Sequence, residues 1–580
     1  VGSPVSSFLH NWLRPSVLYS VVTRPSTAPE GWRPWLAALL PVLCLLPFLD
    51  KALNIDDPLF VWSAQHILSN PFDFYGFALN WYGAPDFMHN VNQNPPGTAY
   101  YLALFGGWWG WQEITLHAAM LLPAAAVGLG TYRLAQRLSP YPLTATLAGV
   151  LTPVFLVSAS TLMSDVLMLA FYVWAVFCWV EGLERQRQWW LFTAALLIVA
   201  ATLSKYFGAT LIPLLGLYAL LKTRRLGAWL AYLLFSAALL WGYESWVKTL
   251  YGHGLVSNAG QYLATYRDFK GWLSSNTTGL VFLGGCYFSL LFYAPRLWPS
   301  AVLRVAWLIG LLAVPTVLGL MLLKGQPDAG AAWQYLLSFV VFALIGLQIP
   351  LLAALEVWQR RSPEAWLLLC WVLGVFVFAA TLNWTLNART LLPMLPAVGI
   401  LLARRLETLA LVPQRQDYRW LLPPLLAGGV AMAVLQMDAT WANQIRTTTV
   451  RLLDRYGKQA ETLWFQGGWG FQYYMQQGGA HRVLRAQLPQ LAPGTLLVVP
   501  LNNTNLVFYP DNPRFLVLDR WEVPNSTLGT TMHEHRAAGF YTQIWGELPF
   551  GLGLTQDNYL IYLIAAPHSP TTTHLDAPSP

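Results

Sequence analysis

Five charged side chains carry the chemistry this sequence could do: Asp56 with its neighbour Asp57, then Asp165, Lys205 and Arg389. The Asp56-Asp57 pair follows an almost uncharged run at 35–49. Asp165 follows Ser164 at the head of an apolar run, and Lys205 and Arg389 each stand between apolar runs. A carboxylate near a membrane boundary is costly unless it is paired or functional. A carboxylate can take the proton of an attacking hydroxyl. A cation can hold a phosphate, Arg above all because its planar fork meets two oxygens. Acids and cations gathered at one membrane face would suit displacement of a lipid-borne phosphate. Hard divalent cations also prefer carboxylate oxygens, so Asp56 with Asp165 could hold magnesium or manganese.

Each residue has a plainer reading. Asp57 before Pro58 fits a helix N-cap with Pro at the first helical position. Capping would explain Asp57 and leave Asp56 free, which makes Asp56 the favoured catalytic carboxylate. N-capping competes for Asp165 as well; otherwise Asp165 binds a metal or orients an acceptor. Lys205 and Arg389 could simply snorkel to the surface.

The elements that must position these groups are membrane helices. Of 580 residues, 56% are hydrophobic and 11% charged, against roughly 25% charge in a soluble domain. The 29 Trp and 26 Tyr suit anchoring at headgroup level. With about 20 apolar residues needed per crossing, about thirteen spans are expected. They lie near 34–50, 113–136, 142–160, 165–182, 189–204, 206–222, 227–247, 279–295, 302–323, 332–355, 365–382, 391–403 and 420–437. Lys and Arg cluster at alternate span ends, as at Arg133 and Arg137, Arg224 and Arg225, Arg360 and Arg361, and Arg404 and Arg405. This is the positive-inside pattern. It excludes a nucleic-acid stripe despite a net charge of +7. The alternation puts the N-terminus in the cytoplasm, and Asp56, Asp165, Lys205 and Arg389 on the outer face. The first run has no small-residue cleavage pattern and reads as a retained helix. The four cysteines sit in apolar runs without metal or disulfide spacing. No phosphate-binding loop, dinucleotide fingerprint or His-based zinc motif occurs.

The expected organisation is a cytoplasmic segment 1–33, a transmembrane domain 34–437 with outer loops 51–112 and 248–278, an outer α/β domain 438–565, and a disordered tail 566–580. In the first loop, 59–68 has the amphipathicity of an interfacial helix. Trp81 and Tyr82 are interfacial anchors or substrate contacts. The stretch holding His89 and Asn94 is rich in amides, which suit hydroxyl recognition. In the outer domain, strands are expected at 462–466, 495–500, 514–518, 541–545 and 559–564, with a helix at 469–477. This domain is either a structural cap or an acceptor-binding module.

The order of features is a first span, an outer acidic pair, an aromatic loop with Pro95-Pro96, Ser164-Asp165 at a helix start, Ser204-Lys205 after the fifth span, and Arg389 ahead of Leu391-Leu392-Pro393. It resembles the polyprenyl-phosphate-sugar-dependent membrane glycosyltransferases of the GT-C fold. Within these it is similar to the bacterial branch related to protein O-mannosyltransferases and to aminoarabinose transferases of lipid A. The resemblance covers roughly residues 34–405. It implies that Asp56 is the first-loop catalytic acid, with Asp57 in place of the usual Glu, and that Asp165 is the second-loop acid. It implies that Lys205 and Arg389 hold the donor phosphate. Many relatives carry Lys-Pro-Pro-Leu where this chain has Asn94-Pro95-Pro96-Gly97. The phosphate contact of that Lys is therefore absent, and donor binding leans on Lys205 and Arg389. The resemblance also implies a polyprenyl-phosphate-linked sugar as donor and inversion at its anomeric carbon. The acceptor would be a lipid, glycan or protein met on the outer face of a bacterial inner membrane. The rival readings are a polyprenyl-lipid transporter or flippase, which would place ionisable groups at the bilayer midplane in repeated halves, and a non-catalytic membrane scaffold. The Trp-Trp-Asp-Tyr-Gly type of signature that would favour oligosaccharyl transfer is missing.

Overall fold

Inside a bilayer an apolar segment must satisfy its own backbone, and the helix does so within one segment. The computed structural model describes residues 31–256, 260, 272–323, 329–409, 418–457, 463–507 and 512–566. The expected segment 1–33 up to residue 30, much of the loop 248–278, and the tail from 567 lie outside the described residues.

The helices run in order α1 (Arg33–Leu45), α2 (Asp57–Ser69), α3 (Gly97–Trp109), α4 (Glu113–Leu138), α5 (Pro142–Val150), α6 (Pro153–Ala159), α7 (Asp165–Arg185) and α8 (Gln188–Ser204). They continue as α9 (Leu211–Thr223), α10 (Trp229–Tyr251), α11 (Trp272–Cys286), α12 (Ser289–Leu297), α13 (Ser300–Leu323), α14 (Ala329–Arg360), α15 (Pro363–Val377), α16 (Leu395–Thr408), α17 (Leu422–Tyr456) and α18 (Trp469–Gln477). The polytopic helical class expected from composition is what the structure has.

The expected count of thirteen spans is not reached. Among the described residues six helices are long and apolar enough to cross, or up to eight if each bent pair is one span. Every expected segment holds helix, but several are too short or broken. The 142–160 segment bends by 65° between α5 and α6, and the 279–295 segment by 94° between α11 and α12. The 391–403 segment begins as a 3-10 turn, Ala388–Met394, that contains Pro393. Proline removes a backbone donor there and interrupts the regular ladder. Tight helix contacts rest on small residues. A Cβ on Gly284 of α11 would fall 1.8 Å from the Phe342 carbonyl oxygen of α14, so the two backbones meet only because that side chain is absent.

The first loop at 51–112 folds as α2, a hairpin of β1 (Ala78–Asn80) and β2 (Pro85–Phe87), and α3. The helix expected at 59–68 is present as α2. The C-terminal domain builds a five-stranded sheet from β3 (Leu463–Phe465), β4 (His481–Arg482), β5 (Leu496–Pro500), β6 (Phe515–Pro524) and β7 (Gln556–Ile564), in the order β4-β3-β5-β7-β6. β3 is parallel to both β4 and β5, and α18 makes the crossover from β3 to β4; the β7 pairings with β5 and β6 are antiparallel. Four of the expected strands and the helix are present. The strand expected at 541–545 is not: those residues form turns. Of its apolar residues Tyr541 is buried, 4% exposed, while Ile544 is 70% exposed. The boundary expected at 437/438 falls inside α17, one continuous helix of 35 residues. The polar turns of α17 carry on the apolar ones, so composition changes there while the backbone does not.

Candidate active site

The backbone leading to Asp56 is strained. Ile55 has φ +51°, a left-handed conformation that a β-branched residue rarely adopts. Trp469 at the head of α18 has φ +59°. Both line one cavity of about 700 Å³, walled by the first loop at 51–112, the head of α7, the residues just after the end of α8, the 383–393 segment and the C-terminal domain. Strained residues that face a shared cavity are a mark of function.

Asp56 occupies the N-cap position of α2 but makes no capping bond. The expectation that Asp57 is the cap is therefore corrected. Asp57 is the first helical residue, and its carboxylate is drawn elsewhere. Oδ2 accepts from the Asn54 amide at 3.1 Å, and Oδ1 from the Leu162 amide at 2.8 Å. Asp57 is fully buried and does not line the cavity, so its expected role in binding substrate is also corrected. Burial pushes its carboxyl up to about 6 against the opposing pull of Lys51. It clips the approach to Asp56 onto the turn that leads into α7, which fixes Asp56 relative to Asp165.

Asp56 faces the cavity with 37% of its side chain exposed. Its carboxyl is held above the usual range by burial, which outweighs the opposing charge of Arg389. Asp165 opens α7, and its side chain does not cap the helix. It is 1% exposed; Lys205 Nζ lies 2.6 Å from Oδ1 and Arg389 Nη1 3.2 Å from Oδ2. Arg389 Nη2 lies 3.8 Å from Asp56 Oδ2. The four groups picked from the sequence thus meet as one cluster. Within it Asp165 is the anchor of the two cations rather than a free acid.

Lys205 reaches this cluster because α8 ends just before it. The loop 94–97 packs directly beneath: a Cβ on Gly97 would sit 2.6 Å from the Leu203 carbonyl oxygen. Asn94, Trp81 and Tyr82 line the cavity as expected. His89 does not. Its ring stacks between Tyr251 and His253, at centroid distances of 4.6 and 5.2 Å.

The residues present do not fit a resident divalent cation on Asp56 and Asp165. Both Asp165 oxygens are taken by Lys205 and Arg389, and among the described residues no group of three His, Cys, Asp or Glu could hold a metal. A cation between the two acids would have to displace Arg389. Catalysed turnover is therefore expected to persist in excess EDTA; loss of turnover that added magnesium or manganese restores would overturn this.

The sequence left the C-terminal domain as a cap or an acceptor-binding module and named none of its residues for the site. Trp469, Tyr541, Thr542 and Trp545 line the cavity. The Arg389 guanidinium lies 5.5 Å from the Tyr541 ring centroid. The Ala388 amide donates to the Phe540 carbonyl and the Gln543 amide to the Leu386 carbonyl, both at 2.8 Å, so the Arg389 segment is strapped to the C-terminal domain. Only a three-dimensional neighbour marks Tyr541, since its local sequence reads as an ordinary apolar stretch. Below it, Lys51 and Asp438 form a buried ion pair of 2.5 Å, exposed 1% and 0%. Thr531 and the Tyr541 hydroxyl also donate to Asp438.

Residues 93–244 match the family described as dolichyl-phosphate-mannose-protein mannosyltransferase, roughly a quarter of the chain. The matched stretch holds Asp165 and Lys205, and it agrees with the resemblance read from the residues. No curated protein sequence matches. Three solved structures are similar at low identity. An oligosaccharyltransferase of Archaeoglobus fulgidus, tethered to an acceptor peptide, is 14% identical with a TM-score of 0.45; the match covers 78% of this chain and 64% of that one. ArnT of Cupriavidus metallidurans, bound to undecaprenyl phosphate, is 14% identical with a TM-score of 0.42, over 82% of this chain and 94% of that one. The arabinofuranosyltransferase AftD from Mycobacteria is 12% identical with a TM-score of 0.42, over 94% and 40%.

Proposed function

We propose that this chain is an inverting glycosyltransferase that moves a monosaccharide from a polyprenyl-phosphate donor to a hydroxyl acceptor at the outer membrane face. The observation that carries the reading is Asp56. It is a cavity-facing carboxylate with a raised pKa, set against two cations that a second, buried carboxylate holds in place. The family match over 93–244 supports the same class.

The step is a single displacement. The acceptor oxygen attacks the sugar C1 while Asp56 takes its proton, and the bond from C1 to the phosphate oxygen breaks. The electron pair leaves with the lipid phosphate, whose growing charge Lys205 and Arg389 stabilise. Arg389 Nε has no hydrogen-bond partner among the described residues, so one donor of the guanidinium is uncommitted to protein. Asp165 positions both cations, and Trp81, Tyr82 and Asn94 line the space for the sugar.

The base must be ionised to act. Since the Asp56 pKa is raised, the acid limb of kcat/KM lies above the ordinary Asp value of about 3.9. Activity is expected to rise with pH through that limb and then level off. A pH–rate profile whose acid limb falls at the ordinary value would contradict Asp56 as the base. The reading as a whole is tested in proteoliposomes supplied with labelled polyprenyl-phosphate sugars. Consumption of one donor, dependent on Asp56, is the expected result; binding without any consumption would favour a transporter.

A further inference from the structure

We propose that a second cavity, of about 300 Å³ between the first loop and the C-terminal domain, is a subsite for one neutral sugar residue of an acceptor glycan. The inference rests on the transferase reading and names the acceptor class for it.

Three elements wall both cavities. On α2, Leu59 and Phe60 face the main cavity while Trp62 and His66, one turn apart, face the second. On α18, Trp469 faces the main cavity while Gln472 and Gln476 face the second. The hairpin gives Trp81 to the first and Phe77 to the other. The Trp62 and Trp81 rings, edge to face with centroids 6.3 Å apart, stand between the two spaces. Residues that line the two cavities are therefore in contact through these two rings.

The lining selects the ligand. Trp62 lines the cavity beside the His66 and Phe77 rings, which lie against each other at 4.8 Å, and such an aromatic wall suits the C–H face of a pyranose, an apolar surface rimmed by hydroxyls. Gln472 and Gln476 offer amides to those hydroxyls. Gln472 is already oriented: its Nε2 donates to the Asn80 carbonyl at 2.9 Å, and its Oε1 accepts from Arg482. His66 Nε2 lies 2.8 Å from the Asp73 carbonyl. A carbonyl only accepts, so Nε2 carries the proton and the neutral ring keeps a lone pair on Nδ1. No Asp, Glu, Lys or Arg lines the cavity. That excludes the phosphate end of the donor, and the amides do not suit a lipid tail. The volume takes about one ring. The donor's sugar is tied to the cations of the main cavity, so a ring beyond Trp81 belongs to the other substrate.

The test is saturation-transfer NMR of neutral oligosaccharides with the detergent-solubilised full chain, comparing wild type with Asp56→Asn, Trp62→Ala and Gln476→Ala. Wild type is expected to bind one oligosaccharide, and Asp56→Asn to bind the same one. Affinity is expected to fall about tenfold in Trp62→Ala and by a smaller factor in Gln476→Ala, whose exposed side chain can be trimmed without unfolding the helix. Unchanged affinity in both pocket variants, or no binding to wild type across gluco-, galacto- and manno-oligosaccharides, would overturn the subsite. Trp62-dependent binding in a protein that consumes no lipid-linked sugar would keep the sugar site but overturn the acceptor role together with the transferase reading.

Discussion

Asp56→Asn is expected to lower sugar transfer by about 10²–10⁴-fold, the range that a positioned general base contributes, while leaving the fold and the donor binding intact. Asn keeps the shape and the polarity of the side chain but cannot take a proton. Asp56 is a suitable residue for so clean a test because it makes no capping bond, so its loss does not unseat α2. Its nearest charged partner is Arg389, at 3.8 Å, and Arg389 stays anchored through Asp165. Asp57→Asn is the contrasting variant. That carboxylate holds two backbone amides and faces no cavity, so its effect should fall on thermal stability. The measurement is single-turnover transfer in proteoliposomes, with the thermal midpoint followed in parallel. Near-wild-type transfer by Asp56→Asn would remove Asp56 from the chemistry.

The second large effect concerns stability. Lys51→Met is expected to cost about 3–5 kcal/mol, as when one member of a buried ion pair is removed. Lys51 Nζ bonds Asp438 at 2.5 Å and also reaches the Ser160 hydroxyl and carbonyl. Without it Asp438 keeps only Thr531 and Tyr541 as donors among the described residues, and one negative charge stays buried. Pairing Lys51→Met with Asp438→Leu is expected to recover most of the loss, because a well-packed apolar pair avoids desolvating two charges. The network also joins the start of the first loop to α17 and, through Tyr541, to the ring beside Arg389. The single variant should therefore slow transfer as well as lower the thermal midpoint. An unshifted midpoint in Lys51→Met would show that the pair contributes no net stability.

Much of this site was legible in the chain because it is written in residue types that a membrane protein rarely spends at span ends. Asp56, Asp165, Lys205 and Arg389 stand out against 11% charge, and the structure brings all four together. Asp57 misled because a local rule, Asp before Pro, put it at the N-cap, one residue off its place in the helix, and said nothing of its partners. One of these, the Leu162 amide, lies 105 residues away. His89 misled because an amide-rich setting says nothing about which way a ring turns. The count of thirteen spans exceeds the six to eight helices or bent pairs long enough to cross among the described residues, because hydropathy registers apolar character and not where a helix stops or bends.

By itself, then, the sequence determined the class and the chemistry: apolar periodicity requires helices in lipid, and a few charges that resist burial mark where reaction can occur. Tertiary structure alone decided the roles. It made Asp165 a tether, Asp57 a clip, and the C-terminal domain a wall of the site through Trp469 and Tyr541. The reason is physical. A side chain's type follows from its codon, but its exposure and its partners follow from which distant segments pack against it, and that packing is long-range information no local pattern contains.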